Sequence, residues 1–145
     1  MAVYSLGART INATTATAAA EVFTLATDRP RVLAVELEVA VATTSTYGIG
    51  RPAAIGLLPT SPVRPLAEDP IEPLAQLQMA LAWGTGPTAP ANFFRRFAVT
   101  SGSAQGRGII WSFPRGLTIP VSSSLVLWNI GGANGVADFT VVVDE

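Results

Sequence analysis

Glu68, Asp69 and Glu72 are the densest group of chemically capable side chains in the chain. Carboxylates on a loop suit a calcium ion, which takes oxygen ligands from flexible segments. EF-hand spacing is absent, however, and the simpler expectation is a solvated acidic loop, since charged side chains mostly stay in water. A glycosidase pair needs two carboxylates at a fixed separation, which sequence spacing does not give. The segment 102–108 (GSAQGRG) has the glycine content of a phosphate loop. It lacks the Walker lysine and no helix follows it, so it reads as a hairpin loop.

The missing residue types exclude more. The sequence has no His, no Cys and no Lys, and all nine cations are Arg. Ser-His-Asp and Cys-His catalysis, Schiff-base lysines, and zinc held by His or Cys are all ruled out. The expectation is a protein that is not an enzyme and carries no cofactor or metal. Charged residues are 13% and net charge is -1, which does not suit a nucleic-acid binder. The opening residues lack the order of a signal peptide, and Asn12-Ala13-Thr14 is then a chance sequon. No apolar stretch approaches the length of a membrane span. A protein made in the cytoplasm, soluble or joined to something assembled there, is expected.

The 145 residues fit one domain with one core. Residues 10–27 read as an arm or edge strand, with 1–20 a candidate arm. From Leu33 to Ala42, Leu33, Val35, Leu37, Val39 and Val41 alternate with Ala34, Glu36, Glu38, Ala40 and Ala42. That is the period of a half-buried strand. Six prolines from Pro52 to Pro73 turn 44–75 into a long Pro-rich loop, with a short strand within Ala53–Leu58. Leu77, Met79, Leu81 and Trp83 then share a face. Residues 93–100 form a strand. Ile109, Trp111 and Phe113 form another apolar face, and Phe113–Gly116 suits a type I turn. Residues 123–130 are followed by a glycine-rich turn at 131–135, and Phe139, Val141 and Val143 close the chain. About eight strands and no helix indicate an all-β antiparallel sandwich or barrel.

Four features bear on interfaces. Trp83 and Trp111 lie on apolar strand faces and read as core. Trp128 sits in a strand apolar on both faces, with Leu125 and Leu127 on one and Val126, Trp128 and Ile130 on the other. A second burial partner is therefore required, either a loop of the same chain or another subunit. Arg95 falls among Phe93, Phe97 and Val99, where a lone Arg needs a carboxylate; Arg96 faces the other way. Glu36 and Glu38 lie on a face otherwise made of alanine. These residues suggest a subunit interface in which Arg95 or Arg96 meets Glu36 or Glu38. The plainer alternative is a solvated face with weak surface charges.

The run GIIWSFPRGLTIPVSSSLVLWNI at 108–130, the glycine-rich turn and Val-rich strand after it, the opening MAVYSL, the Pro-rich middle and the closing Asp144-Glu145 resemble small jelly-roll proteins of tailed-phage virions, the capsid cement or head-decoration class. The resemblance implies a jelly-roll sandwich and a homotrimer on the capsid exterior, assembled in the host cytoplasm. Its partner would be the major capsid protein, whose neighbouring copies it bridges against internal DNA pressure. Comparable terminal strands occur in tumour-necrosis-factor-like trimers. The alternative is thus a fibre or spike module that binds a host glycan or receptor, with Tyr4 and Tyr47 as loop-borne aromatics.

Overall fold

The computed structural model describes residues 2–11, 16–25, 29–40, 44–99, 107–132 and 135–145. It contains twelve strands and, among these residues, no helix. Eight are long: β1 (Val3–Arg9), β2 (Thr17–Thr24), β3 (Arg31–Val39), β4 (Ser45–Gly50), β9 (Phe93–Val99), β10 (Arg107–Thr118), β11 (Ser124–Gly132) and β12 (Ala137–Asp144). Four short ones lie between β4 and β9: β5 (Leu57–Pro59), β6 (Leu66–Ala67), β7 (Leu77–Ala80) and β8 (Trp83–Thr85). The first sheet runs β10-β3-β12-β1-β6, the second β7-β2-β11-β4-β9, and β5-β8 form a separate ribbon. Every pairing is antiparallel.

Alternation explains which face each strand buries. In β3, Val35, Leu37 and Val39 are buried while Glu36 and Glu38 are exposed. β12 repeats the pattern with Phe139, Val141 and Val143 inside. Trp111 and Leu125 meet these residues in one core between the two sheets. One position departs from the expected row. Val142 pairs with Ala34 and Val143 with Val32, which leaves Leu33 as the extra residue of a bulge. The bulge reverses the alternation, so Val32 takes the core place expected for Leu33.

Several expected elements are corrected. The described part of the expected arm is strand: β1 pairs with β12 on one side and β6 on the other, and Tyr4 is buried. β2 is not an edge strand, because it lies between β7 and β11. Its Ala19 and Ala20 are small enough for packed layers to close over the strand, and every residue from Ala19 to Thr24 is buried. The long loop begins at Arg51 and not at residue 44, since β4 is an inner strand between β11 and β9. Its glycines are required by close approach. A Cβ on Gly48 would lie 2.6 Å from the Phe93 ring, and one on Gly50 2.6 Å from the Asn92 carbonyl. The short strand expected within Ala53–Leu58 is found at Leu57–Pro59. Phe113–Gly116 is an irregularity inside β10, where pairing with β3 skips from Ser112 to Leu117. An edge strand tolerates Pro114 there, and Gly116 supplies the positive φ of 66°. Of the hairpin loop expected at 102–108, Arg107 and Gly108 belong to β10; the rest of it, the sequon, Val41 and part of the 131–135 turn lie outside the described residues.

Candidate functional site

Residues 51–76 leave β4 and run over the outside of the sandwich as a strap, attached by the β5-β8 and β6-β1 pairings, by the Val63–Met79 bridge and by side-chain contacts. At its start, Arg51 donates to the Thr118 carbonyl at 2.5 Å and to Ser123 Oγ at 3.2 Å, and its guanidinium stacks over the Phe94 ring. In the middle lies Glu21, which sits on β2 between Val126 and Ala80 and is 1% exposed. Gly56 N–H donates to both of its carboxylate oxygens at 3.1 Å, and Ser124 Oγ donates at 2.6 Å. Gly56 is packed tightly: a Cβ there would collide with Trp83 Cδ1 and the Glu21 carboxylate. Trp83 therefore belongs to this junction and not to the core row expected for it, because the chain leaves the sheet after Ala80. Farther along, Tyr4 Oη donates to the Pro73 carbonyl at 3.0 Å.

Trp128 is 8% exposed and Val126 is 0% exposed with no second chain present. The second burial partner is the chain itself: Gly56 and Trp83 close on Glu21, which pairs with Val126, and Phe93 closes on Gly48, which pairs with Trp128. Trp111 is core, as expected.

The strap's far end borders a groove of about 460 Å³ that includes Tyr4, Arg29, Glu72, Gln76 and Glu145. Gln76 N–H donates to Glu145 Oε2 at 2.8 Å. Burial raises the Tyr4 phenol above its ordinary value, with smaller contributions from Glu145 and Glu72. Burial alone raises Tyr47, which is 0% exposed and donates to the Gly135 carbonyl at 3.0 Å. Both tyrosines sit in strands and neither offers a ring to solvent, contrary to the loop positions expected for glycan stacking. For a phenol with a raised folded value, the contribution is full below the ordinary tyrosine range. It is lost as pH rises through the folded value. A spectrophotometric titration is thus expected to show less phenolate in the folded protein at pH 10.0, the ordinary value, than in the unfolded chain. Ionisation should accompany alkaline unfolding. A tyrosine that titrates normally in the intact fold would contradict the Tyr4 and Tyr47 environments.

Glu68, Asp69 and Glu72 are exposed on the strap. Asp69 Oδ1 accepts from Ile71 N–H at 3.1 Å, closing a turn. Among the described residues, no group of three or more carboxylates is arranged to hold a metal. Glu36 and Glu38 face outward from the first sheet beside Gly108, Ile110, Asp138 and Thr140. Asp138 is engaged by Arg9 in a 2.6 Å ion pair, and the hydrogen bond from Arg9 lowers its pKa. Arg95 and Arg96 lie on β9, at the edge of the other sheet. A bulge between Ile49 and Gly50 sends Phe93 against Gly48 and leaves Arg95 opposite Ile49. The Arg95 guanidinium lies 5.6 Å from the centroid of the Phe113 ring and donates to the Phe94 carbonyl. Within one copy the structure therefore does not bring Arg95 or Arg96 to Glu36 or Glu38. Sequence reasoning missed Glu21. Its only signal was a single charge in the apolar run TAAAEVFT.

No protein-family model and no curated protein matches this chain. The functional reading therefore rests on the strap, its exposed surface and the charges at the two edges of the sandwich.

Proposed function

We propose that this chain is a structural virion protein with a jelly-roll fold, a cement protein that binds the outside of a tailed-phage head as a homotrimer. In this reading it joins neighbouring copies of the major capsid protein. The strand order supports the fold: β10-β3-β12-β1 in one sheet and β2-β11-β4-β9 in the other give eight strands arranged as two Greek keys, the jelly-roll pattern. One observation carries the function. Of the twelve large apolar side chains exposed among the described residues, six lie on the strap: Leu57, Leu58, Val63, Leu66, Ile71 and Leu74. Leu58 is 81% and Ile71 88% exposed. Apolar surface concentrated in this way marks a contact surface. A strap already fastened to the sandwich presents it at little cost in ordering.

The test is cosedimentation with assembled heads of the phage that carries this chain. Wild type is expected to sediment with heads, and the variant Leu57→Ser/Leu58→Ser to bind at least about tenfold more weakly. Its thermal midpoint should match wild type, because these side chains contact water. Full head binding by this variant would reject the strap as the adhesive surface. Failure of the wild type to bind, with capture on a glycan array, would favour a fibre or spike module.

A further inference from the structure

We infer that the copies in such a homotrimer join head to tail, with the arginine-rich edge of one sandwich against the acidic strap of the next. The inference rests on the homotrimer in the proposed function and identifies the surfaces that form it. From Pro73 to Ala137 the sequence contains no Asp or Glu but holds Arg95, Arg96, Arg107 and Arg115. The topology gathers all four on β9 and β10. These are outer strands of the two sheets at the same edge of the sandwich, where Arg95 lies over Phe113. Arg95, Arg96 and Arg115 are exposed, and neither Arg95 nor Arg96 meets a carboxylate among the described residues.

The opposite edge carries β6 and β7, and Val63 of the strap is bridged to Met79 of β7. There the strap exposes Glu68, Asp69 and Glu72 beside Leu66, Ile71 and Leu74. Two cations share that side. Arg64 is engaged with the Ala75 carbonyl at 3.1 Å, and Arg29 borders the groove with Glu72. The β9/β10 edge adds exposed Phe94. Each edge thus offers apolar surface, and the charges are complementary.

Two complementary patches on opposite edges cannot serve a twofold contact, which sets a patch against itself. They suit a heterologous contact, which closes into a ring when the rotation between copies is right. Contact along β9 and β10 also covers two strands that pair on one side only, removing an open sheet edge. Charge steers the partners into register. Arg95 and Arg96 then meet the strap of a neighbour in place of Glu36 or Glu38.

The test is native mass by light scattering after size exclusion. Wild type is expected near 45 kDa, three copies of the 15.0 kDa chain. Arg95→Glu/Arg96→Glu and Glu68→Arg/Glu72→Arg should each run as folded 15.0 kDa monomers. The four substitutions together should restore the trimer, and Glu36→Arg/Glu38→Arg should leave it intact. All the substituted positions are exposed, and a circular dichroism melt confirms that each variant folds. A trimer that survives either edge reversal overturns the inference. So does a folded four-substitution variant that stays monomeric, or dissociation caused by the Glu36/Glu38 reversal alone. A wild-type monomer at the highest soluble concentration also overturns it. That result leaves head binding to be decided separately by cosedimentation, so the two readings fail independently.

Discussion

Replacing Glu21 with alanine is expected to destabilise the fold by about 3 kcal/mol and to open the strap to proteolysis. Glu21 points away from the main core yet is 1% exposed. Its carboxylate accepts from the Gly56 amide and the Ser124 hydroxyl, which are 35 and 103 residues away in the chain. Truncation leaves both donors without that acceptor beside a void. Each such orphan costs about 1–3 kcal/mol, and a void left at Glu21 adds to this. Glu21→Gln retains an acceptor oxygen and nearly the same volume, so its loss should be smaller. Urea midpoints for the two variants measure the difference. Limited proteolysis separates a local effect from a global one: if Glu21 fastens the strap, cleavage within 51–60 should accelerate more than unfolding as a whole. Equal stability and equal cleavage for wild type and Glu21→Ala would show that the carboxylate does not hold the strap.

What could be read from the sequence follows from the range of the interactions. The alternation in β3 and β12 is local, and it identified Val35, Leu37, Phe139 and Val141 as inward-facing. Two apolar faces in β11 required a cover on both sides, and the chain provides one. Register was less legible. A bulge reverses alternation by inserting a residue, and its cause lies in the partner strand. Leu33 and Phe93 were therefore assigned to the wrong faces. β4 was hidden because STYGIG carries two glycines, which weaken strand propensity. Those glycines are needed because Phe93 and the Pro90–Asn92 turn press against them, a fact that resides 40 residues downstream. The exclusion of a central strand from 44–75 failed at β4, which lies before the first of the prolines, and from Arg51 onward the chain forms only the short β5 and β6 before β7. The prolines could not show that this segment would lie on the second sheet.

The charged residues divide in the same manner. Glu36 and Glu38 were legible as outward-facing because they occupy alternate positions in a regular strand. Their proposed pairing with Arg95 or Arg96 required knowledge of sheet order. That order places β9 at the margin of the second sheet and Glu36 and Glu38 on the outside of the first. Glu21 shows the reverse case. Its face was never in doubt once β2 was a strand, but its burial depends on the strap.

Val126→Asp should be among the most damaging single substitutions, although Val126 faces away from the main core. Val126 lies between Glu21 of β2 and Gly50 of β4 and is 0% exposed. An aspartate there would be buried next to the Glu21 carboxylate. It would face both desolvation and like-charge repulsion. A loss above about 4 kcal/mol is expected, which amounts to unfolding for a domain of ordinary stability. Ile110→Asp is the matched control. Ile110 also faces outward, from the first sheet, but it is 63% exposed. Its substitution should change stability by no more than about 0.5 kcal/mol. Chemical denaturation of the two variants measures the contrast between a covered outer face and an open one. If Val126→Asp is tolerated as well as Ile110→Asp, the strap does not stay seated on the second sheet. Val126 and Trp128 would then form an open apolar face, and a second subunit would again be the candidate to cover it.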